Sequence, residues 1–218
     1  MSLLNVTCLI VLSCVVATVT LAGDDADLFR EDFEQAELGS IPKELLVLSG
    51  GFAVKTDVRG KFLELPGSPV EGFGLLFGPT ETQGVTVSAR IWATPRGRLN
   101  PAFGVGLNGV SGYRLQVAPG KRVLEICIGE APKTEVPFVW KGGEWTCLRL
   151  QVRKSGKGTW IVEGKAWAQS EREPERWMII LELTEEPPAG RASVWGSPYA
   201  GTPIRFDDLM VRKIANGK

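Results

Sequence analysis

Between Val85 and Trp92 the residues Thr86, Ser88, Arg90 and Trp92 alternate with Val85, Val87, Ala89 and Ile91. Residues two apart on a strand share a face, so an extended chain would put the polar set on one side and the aliphatic set on the other. The split recurs with Gly104, Gly106 and Asn108 against Phe103, Val105 and Leu107, and with Arg114 and Gln116 against Tyr113, Leu115 and Val117. It recurs again with Glu125 and Cys127 against Leu124, Ile126 and Ile128, and with Cys147, Arg149 and Gln151 against Leu148, Leu150 and Val152. If these segments pair into one sheet, its second face is a broad polar surface with an open floor at Gly104 and Gly106. An indole stacks on the C–H face of a sugar ring, and Arg, Gln, Asn and Glu offer paired partners to its hydroxyls. Arg90, Trp92, Asn108, Arg114, Gln116, Glu125, Arg149 and Gln151 therefore form a candidate ligand-binding surface. The same residues also suit an ordinary solvated sheet face, with Glu125 paired across strands to Arg114 or Arg149. The other tryptophans, Trp140, Trp145, Trp160, Trp167, Trp177 and Trp195, read as core or sandwich-edge packing.

The composition removes whole classes of chemistry. The 218-residue chain has no histidine, which excludes Ser-His-Asp and Cys-His catalysis and every His-based metal site. Its 25 Lys and Arg balance 25 Asp and Glu, leaving no basic field to draw nucleic acid. With 44% hydrophobic residues the chain has the make-up of a globular domain. From Leu3 to Ala22 there is no Asp, Glu, Lys or Arg, and Thr20, Leu21 and Ala22 precede Gly23, Asp24 and Asp25. Small residues at the third-last and last places resemble a signal-peptidase site after Ala22, so residues 1–22 are expected to be a signal peptide. The expected location is secreted, periplasmic or cell envelope, with an uncleaved membrane anchor as the alternative for so long an apolar run.

Past Ala22, Gly and Pro punctuate the chain about every eight to twelve residues, and the stretches between favour Val, Ile, Leu, Phe and Trp. That spacing predicts an all-β sandwich or barrel, a single domain over residues 23–218. Strands are expected near residues 28–34, 44–49, 52–57, 61–65, 72–77, 84–93, 102–108, 112–118, 122–128, 137–140, 145–153, 159–167, 177–183, 190–195 and 204–213. The stretch Gln169 to Arg176, polar and holding Pro174, is expected to be a loop. Cys8 and Cys14 lie in the leader, whereas Cys127 and Cys147 share the polar parity of their strands, which permits a disulfide between neighbouring strands. Such a bridge would stabilise by roughly 3 kcal/mol through loop closure.

Several segments together resemble the concanavalin A-like jelly-roll of lectins, laminin G-like modules and related secreted bacterial domains. They are the opening DLFREDFE (Asp27 to Glu34), the hairpin GYRLQVAPGKRVLEI (Gly112 to Ile126), EWTCLRLQV (Glu144 to Val152), the stretch from Gly164 to Trp177, and the closing IRFDDLMV (Ile204 to Val211). The resemblance implies a two-sheet antiparallel jelly-roll with first and last strands side by side and a glycan on the concave sheet face. The polar rows would be that face. It also raises a structural calcium ion, held by Asp32, Glu34, Asp207 and Asp208 if the terminal strands pair. The related retaining glucanases use two carboxylates about 5 to 5.5 Å apart. Their E-x-D-x-x-E signature is absent, and the acids Glu171, Glu173 and Glu175 fall in the expected loop. The expectation is an exported, non-catalytic carbohydrate-binding module whose partner is a glycan or polysaccharide. The alternatives are a glycoside hydrolase, with Glu125 the acid to test, and a structural or adhesion module that binds a cell-surface protein.

Overall fold

The computed structural model describes residues 27–214, so the expected leader and its cleavage site lie outside the described residues. Fifteen strands follow one another: β1 (Asp27–Glu31), β2 (Leu46–Ser49), β3 (Ala53–Asp57), β4 (Gly60–Leu65), β5 (Phe73–Glu81), β6 (Val85–Trp92), β7 (Ala102–Leu107), β8 (Tyr113–Ala118), β9 (Val123–Ile128), β10 (Ala131–Pro137), β11 (Trp145–Lys154), β12 (Trp160–Ala168), β13 (Ile179–Leu183), β14 (Gly190–Ser197) and β15 (Ile204–Lys213). All pairings are antiparallel, and there is no helix among the described residues. One sheet runs β13-β12-β11-β6-β15-β4-β3 with β1 also on β15, and the other runs β10-β9-β8-β7-β14-β5-β2. The result is a jelly-roll β-sandwich.

The aliphatic rows face inward and form one core. Val87, Ile91, Leu148 and Leu150 from the first sheet and Val105, Leu115, Leu124 and Ile126 from the second are fully or almost fully buried. The sheets approach closely enough that a Cβ at Gly164 on β12 would collide with the Leu115 side chain on β8. β1 and β15 pair as the resemblance implied, from Asp27 opposite Arg212 to Glu31 opposite Leu209. β1 stops at Glu31 because Phe33 turns to a φ of 59° and drops its ring into the core.

Three expectations are corrected here. The five alternating segments do not share a sheet: β6 and β11 are neighbours in the first, while β7, β8 and β9 lie in the second. Their polar rows therefore cover opposite outer faces. Cys127 on β9 and Cys147 on β11 fall on those two faces and are free thiols, so they are not bridged. The strand expected over 137–140 lies earlier, as β10, an edge strand paired only with β9. Its Pro132 and Pro137 suit an edge, where missing donors face no partner, and Phe138 and Trp140 beyond it pack on the core instead.

Asn108 is a fourth departure, because it belongs to neither polar face. It is buried at a φ of 66°, and its amide Nδ2 donates to the carbonyls of Glu81, Thr82 and Pro188 at 3.2, 2.9 and 2.8 Å. One side chain thus ties the β5–β6 turn to the approach to β14. Asn108→Ala should cost about 2–4 kcal/mol in urea unfolding, since it strips the partner from three part-buried carbonyls and loses the asparagine's tolerance of a left-handed backbone. Asn108→Gly relieves the backbone cost and should recover part of that loss; equal midpoints for wild type and both variants would count against the pin.

Candidate functional site

The outer face of the first sheet is assembled from rows that cross it. Arg205 on β15 stands opposite Glu64 on one side and Trp92 on the other, and Trp92 stands opposite Trp145. The guanidinium of Arg205 lies between two rings, 4.3 Å from the centre of Phe62 and 4.6 Å from that of Trp92. Its charge is met by Asp57 at 3.0 Å and Glu64 at 3.3 Å. Next along the face, Arg90 packs 4.9 Å from the centre of the Trp145 ring. Cations over aromatic faces gain about 0.5–2 kcal/mol each, more where water is excluded, so these planes are held rather than free to turn.

Arg90 is fixed from below by a bulge. Between Asp207 and Met210 the register of β15 against β6 slips by one residue, with Asp208 at a φ of 50°. Both carboxylates therefore reach Arg90, Asp207 at 2.7 Å and Asp208 at 3.0 Å. Asp207 also accepts from the Asp208 amide at 2.7 Å.

Three hollows run along this face, one after another. The first, about 530 Å³, lies between Asp57, Phe62, Arg205, Trp92, Trp145 and Gln169. The second, about 260 Å³, shares Arg90 and Gln169 with it and continues past Cys147, Arg149 and Trp167. The third, about 90 Å³, shares Arg149 and Arg212 with the second and ends at Gln151 and Trp177. From Trp145 to Gln151 along β11 the trough spans roughly 20 Å. One wall is the 169–178 loop, pinned by Lys165, whose Nζ donates to the Pro174 carbonyl at 2.8 Å, meets Glu173 at 2.7 Å and sits 4.8 Å from the Trp177 ring centre. Glu173 also meets Arg149 at 2.7 Å.

Of the eight expected site residues, Arg90, Trp92, Arg149 and Gln151 come together here. Arg114, Gln116 and Glu125 sit on the outer face of the second sheet and are committed to one another's neighbours. Arg114 covers Trp195 at 4.0 Å, while Glu125, buried, accepts from Gln116 at 2.8 Å and Lys121 at 3.1 Å. Trp195 donates to Ser193 at 2.8 Å, and the indole and this hydroxyl cover the glycine floor expected to be open at Gly106. Sequence reasoning missed Arg205, Phe62, Asp57 and the role of Trp145, Trp167 and Trp177 as trough lining. A parity signal existed for two of them: Arg205 alternates with the buried Ile204 and Phe206, and Trp145 shares the row of Arg149.

The expected calcium ligands do not fit an ion. Asp207 and Asp208 are taken by Arg90, Glu34 accepts from the Lys61 amide at 3.0 Å, and Asp32 accepts from the Glu34 amide at 3.2 Å. No group of three or more such ligands gathers among the described residues. β1 does lie beside β15, but Asp32 and Glu34 follow its end and turn toward β4.

Two groups lining the trough, Cys147 and Asp207, have displaced acidities. Burial pushes the Cys147 thiol up to about 11, so it stays protonated at neutral pH. Burial also raises the Asp207 carboxyl to about 6, against the opposing pull of Arg90 and the Asp208 amide. Between 3.8 and about 6 the folded chain keeps this proton while the unfolded chain has released it, so this group makes stability fall as pH rises through that window. The urea midpoint of the wild type should therefore drop relative to that of Asp207→Asn between about pH 4 and about pH 6 and keep a constant offset above; a constant offset throughout would contradict it.

No protein-family model matches the chain, and no curated protein matches it. Solved structures do. The carbohydrate-binding module CBM66 from Bacillus subtilis is 11% identical with a TM-score of 0.54, over 78% of this chain and 95% of that one. The VIP36 exoplasmic/lumenal domain in its Ca2+/Man3GlcNAc-bound form is 7% identical with a TM-score of 0.53, over 82% and 87%. The xylan beta-1,4-xylosidase from Bacillus halodurans is 12% identical with a TM-score of 0.51, over 84% of this chain and 38% of that one. At such identities the likeness concerns the fold, and the fold of this chain is the concanavalin A-like jelly-roll.

Proposed function

We propose that the chain is an exported, non-catalytic carbohydrate-binding module whose glycan lies in the trough on the outer face of the first sheet. The observation that carries this reading is the aromatic floor of the largest hollow. Phe62, Arg205 and Trp92 form a stack locked by Asp57 and Glu64, with Trp145 beside it. A pre-set apolar plane ringed by polar groups is what a sugar ring binds, because stacking and hydroxyl hydrogen bonds then cost little side-chain ordering. The similarity to a carbohydrate-binding module and to a glycan-bound lumenal domain supports the same class of ligand.

The non-catalytic part rests on the acids. Asp57, Asp207 and Asp208, which line the trough, are each ion-paired to Arg205 or Arg90. A hydrolase needs one carboxyl free to donate a proton and another free to attack or to activate water. Glu125, the acid considered from sequence, lies on the opposite face among Gln116 and Lys121.

The test is a glycan array followed by polysaccharide pull-down with the full chain. Trp92→Ala, shown to be folded, should weaken binding about ten-fold or more, and Trp195→Ala on the opposite face should leave it unchanged. Free sugar should displace the ligand, whereas a protein partner would be unaffected by it. A folded chain that retains no glycan would refute the reading, and product release from a bound polysaccharide would replace it with a hydrolase.

A further inference from the structure

The three hollows differ in charge. The first carries Asp57 and Asp207 against its arginines. The second is lined by Arg30, Arg90, Arg149 and Arg212, with Asp208 its only carboxylate. The third has Arg149 and Arg212 and no carboxylate. The balancing acids approach from outside the cavity or are shared. Glu173 stands in the wall and divides its charge between Arg149 and Lys165, each at 2.7 Å. Asp27 meets Arg212 from β1 at 2.7 Å, and Asp207 lies buried beneath Arg90. Arg30 is exposed and has no carboxylate partner among the described residues. The Nε of Arg149 is buried without a hydrogen-bond partner, while that of Arg90 is taken by Asp208 at 3.0 Å. Met210, Cys147 and Trp167 complete an otherwise uncharged lining.

Planar guanidiniums facing one cavity recognise anions with two or more coplanar or equivalent oxygens, and they do so with bidentate geometry that an ammonium lacks. We propose that the glycan of this trough is acidic: one ring stacks at Trp92 and Trp145, and a carboxylate or sulfate on a later ring falls among Arg30, Arg90, Arg149 and Arg212. Trp145 and Arg149 are four residues apart on β11, roughly 13 Å, so the two contacts belong to different rings of one chain. This inference rests on the glycan reading and narrows it to one class of ligand.

The experiment is affinity electrophoresis of the full chain in gels holding polygalacturonate, the same polymer methyl-esterified, a sulfated galactan, or a neutral galactan. Retardation is expected with polygalacturonate or the sulfated polymer, and the response separates carboxylate from sulfate recognition. It should weaken about ten-fold between about 50 and about 500 mM salt. Arg149→Gln should reduce retardation about ten-fold, and Arg30→Gln, which breaks no ion pair among the described residues, should reduce it several-fold. Neutral or esterified polymer bound as well as the acidic one, with loss in Trp92→Ala but none in Arg30→Gln or Arg149→Gln, would overturn the acidic class and leave the glycan reading standing. Acidic binding untouched by either arginine variant would also overturn it, and no retardation by any polymer would defeat both readings together.

Discussion

The guanidinium of Arg90 lies on the first sheet's outer face, held by two counter-charges from consecutive residues of a neighbouring strand. That arrangement exists only because β15 carries an extra residue at Asp208, which brings two adjacent side chains to the same side. Arg90 in turn packs against Trp145 and marks the border between the two larger hollows. With Arg90 loose, the Trp145 plane would lose its backing and Asp207 would be a buried charge without a partner, a state that costs several kcal/mol. The trough is thus built around an ion pair rather than merely decorated with one.

The two outer faces show how similar residues reach opposite ends. Each has an arginine over a tryptophan, Arg205 over Trp92 on one and Arg114 over Trp195 on the other. On the second sheet the glycines of β5 and β7 let the Trp195 ring lie down on the backbone, where a Cβ at Gly74 would strike it. The ring is spent on covering its own sheet. On the first sheet Trp92 is flanked by Arg205 and by Trp145 on the next strand, so its stack borders open space. Neighbouring residue size, more than the tryptophan itself, decides which ring lies flat on its own sheet and which borders open space.

Alternation along five of the strands was legible in the sequence, and so were fourteen of the fifteen strands, because a half-buried strand must alternate to serve two environments. Inner rows such as Val85 to Ile91 and Leu148 to Val152 are buried as their parity required. Parity is silent on which sheet a strand joins. After β6 the chain crosses through residues 93–101 to the second sheet, and after β10 it crosses back, so neighbours in sequence end on opposite faces. That is why three of the eight expected site residues lie across the sandwich and why the two cysteines are parted. The bulge at Asp208 was equally hidden, since one extra residue leaves no compositional trace. The wall loop over 169–178 was legible as a loop, yet its anchoring by the buried Lys165 was not, because a lysine on a polar row ordinarily faces water.

β15 lies inside its sheet, touching β6 on one side and β4 and β1 on the other, so residues 185 positions apart share the pair Asp27 and Arg212. During synthesis the first sheet therefore has a gap at its middle until the final strand has emerged, and β1 and β6 wait with unpaired edges. Pairings of such long range are entropically slow to form. The first sheet therefore closes only after β15 has been made, in a step that this strand leads by joining segments already waiting on either side of it.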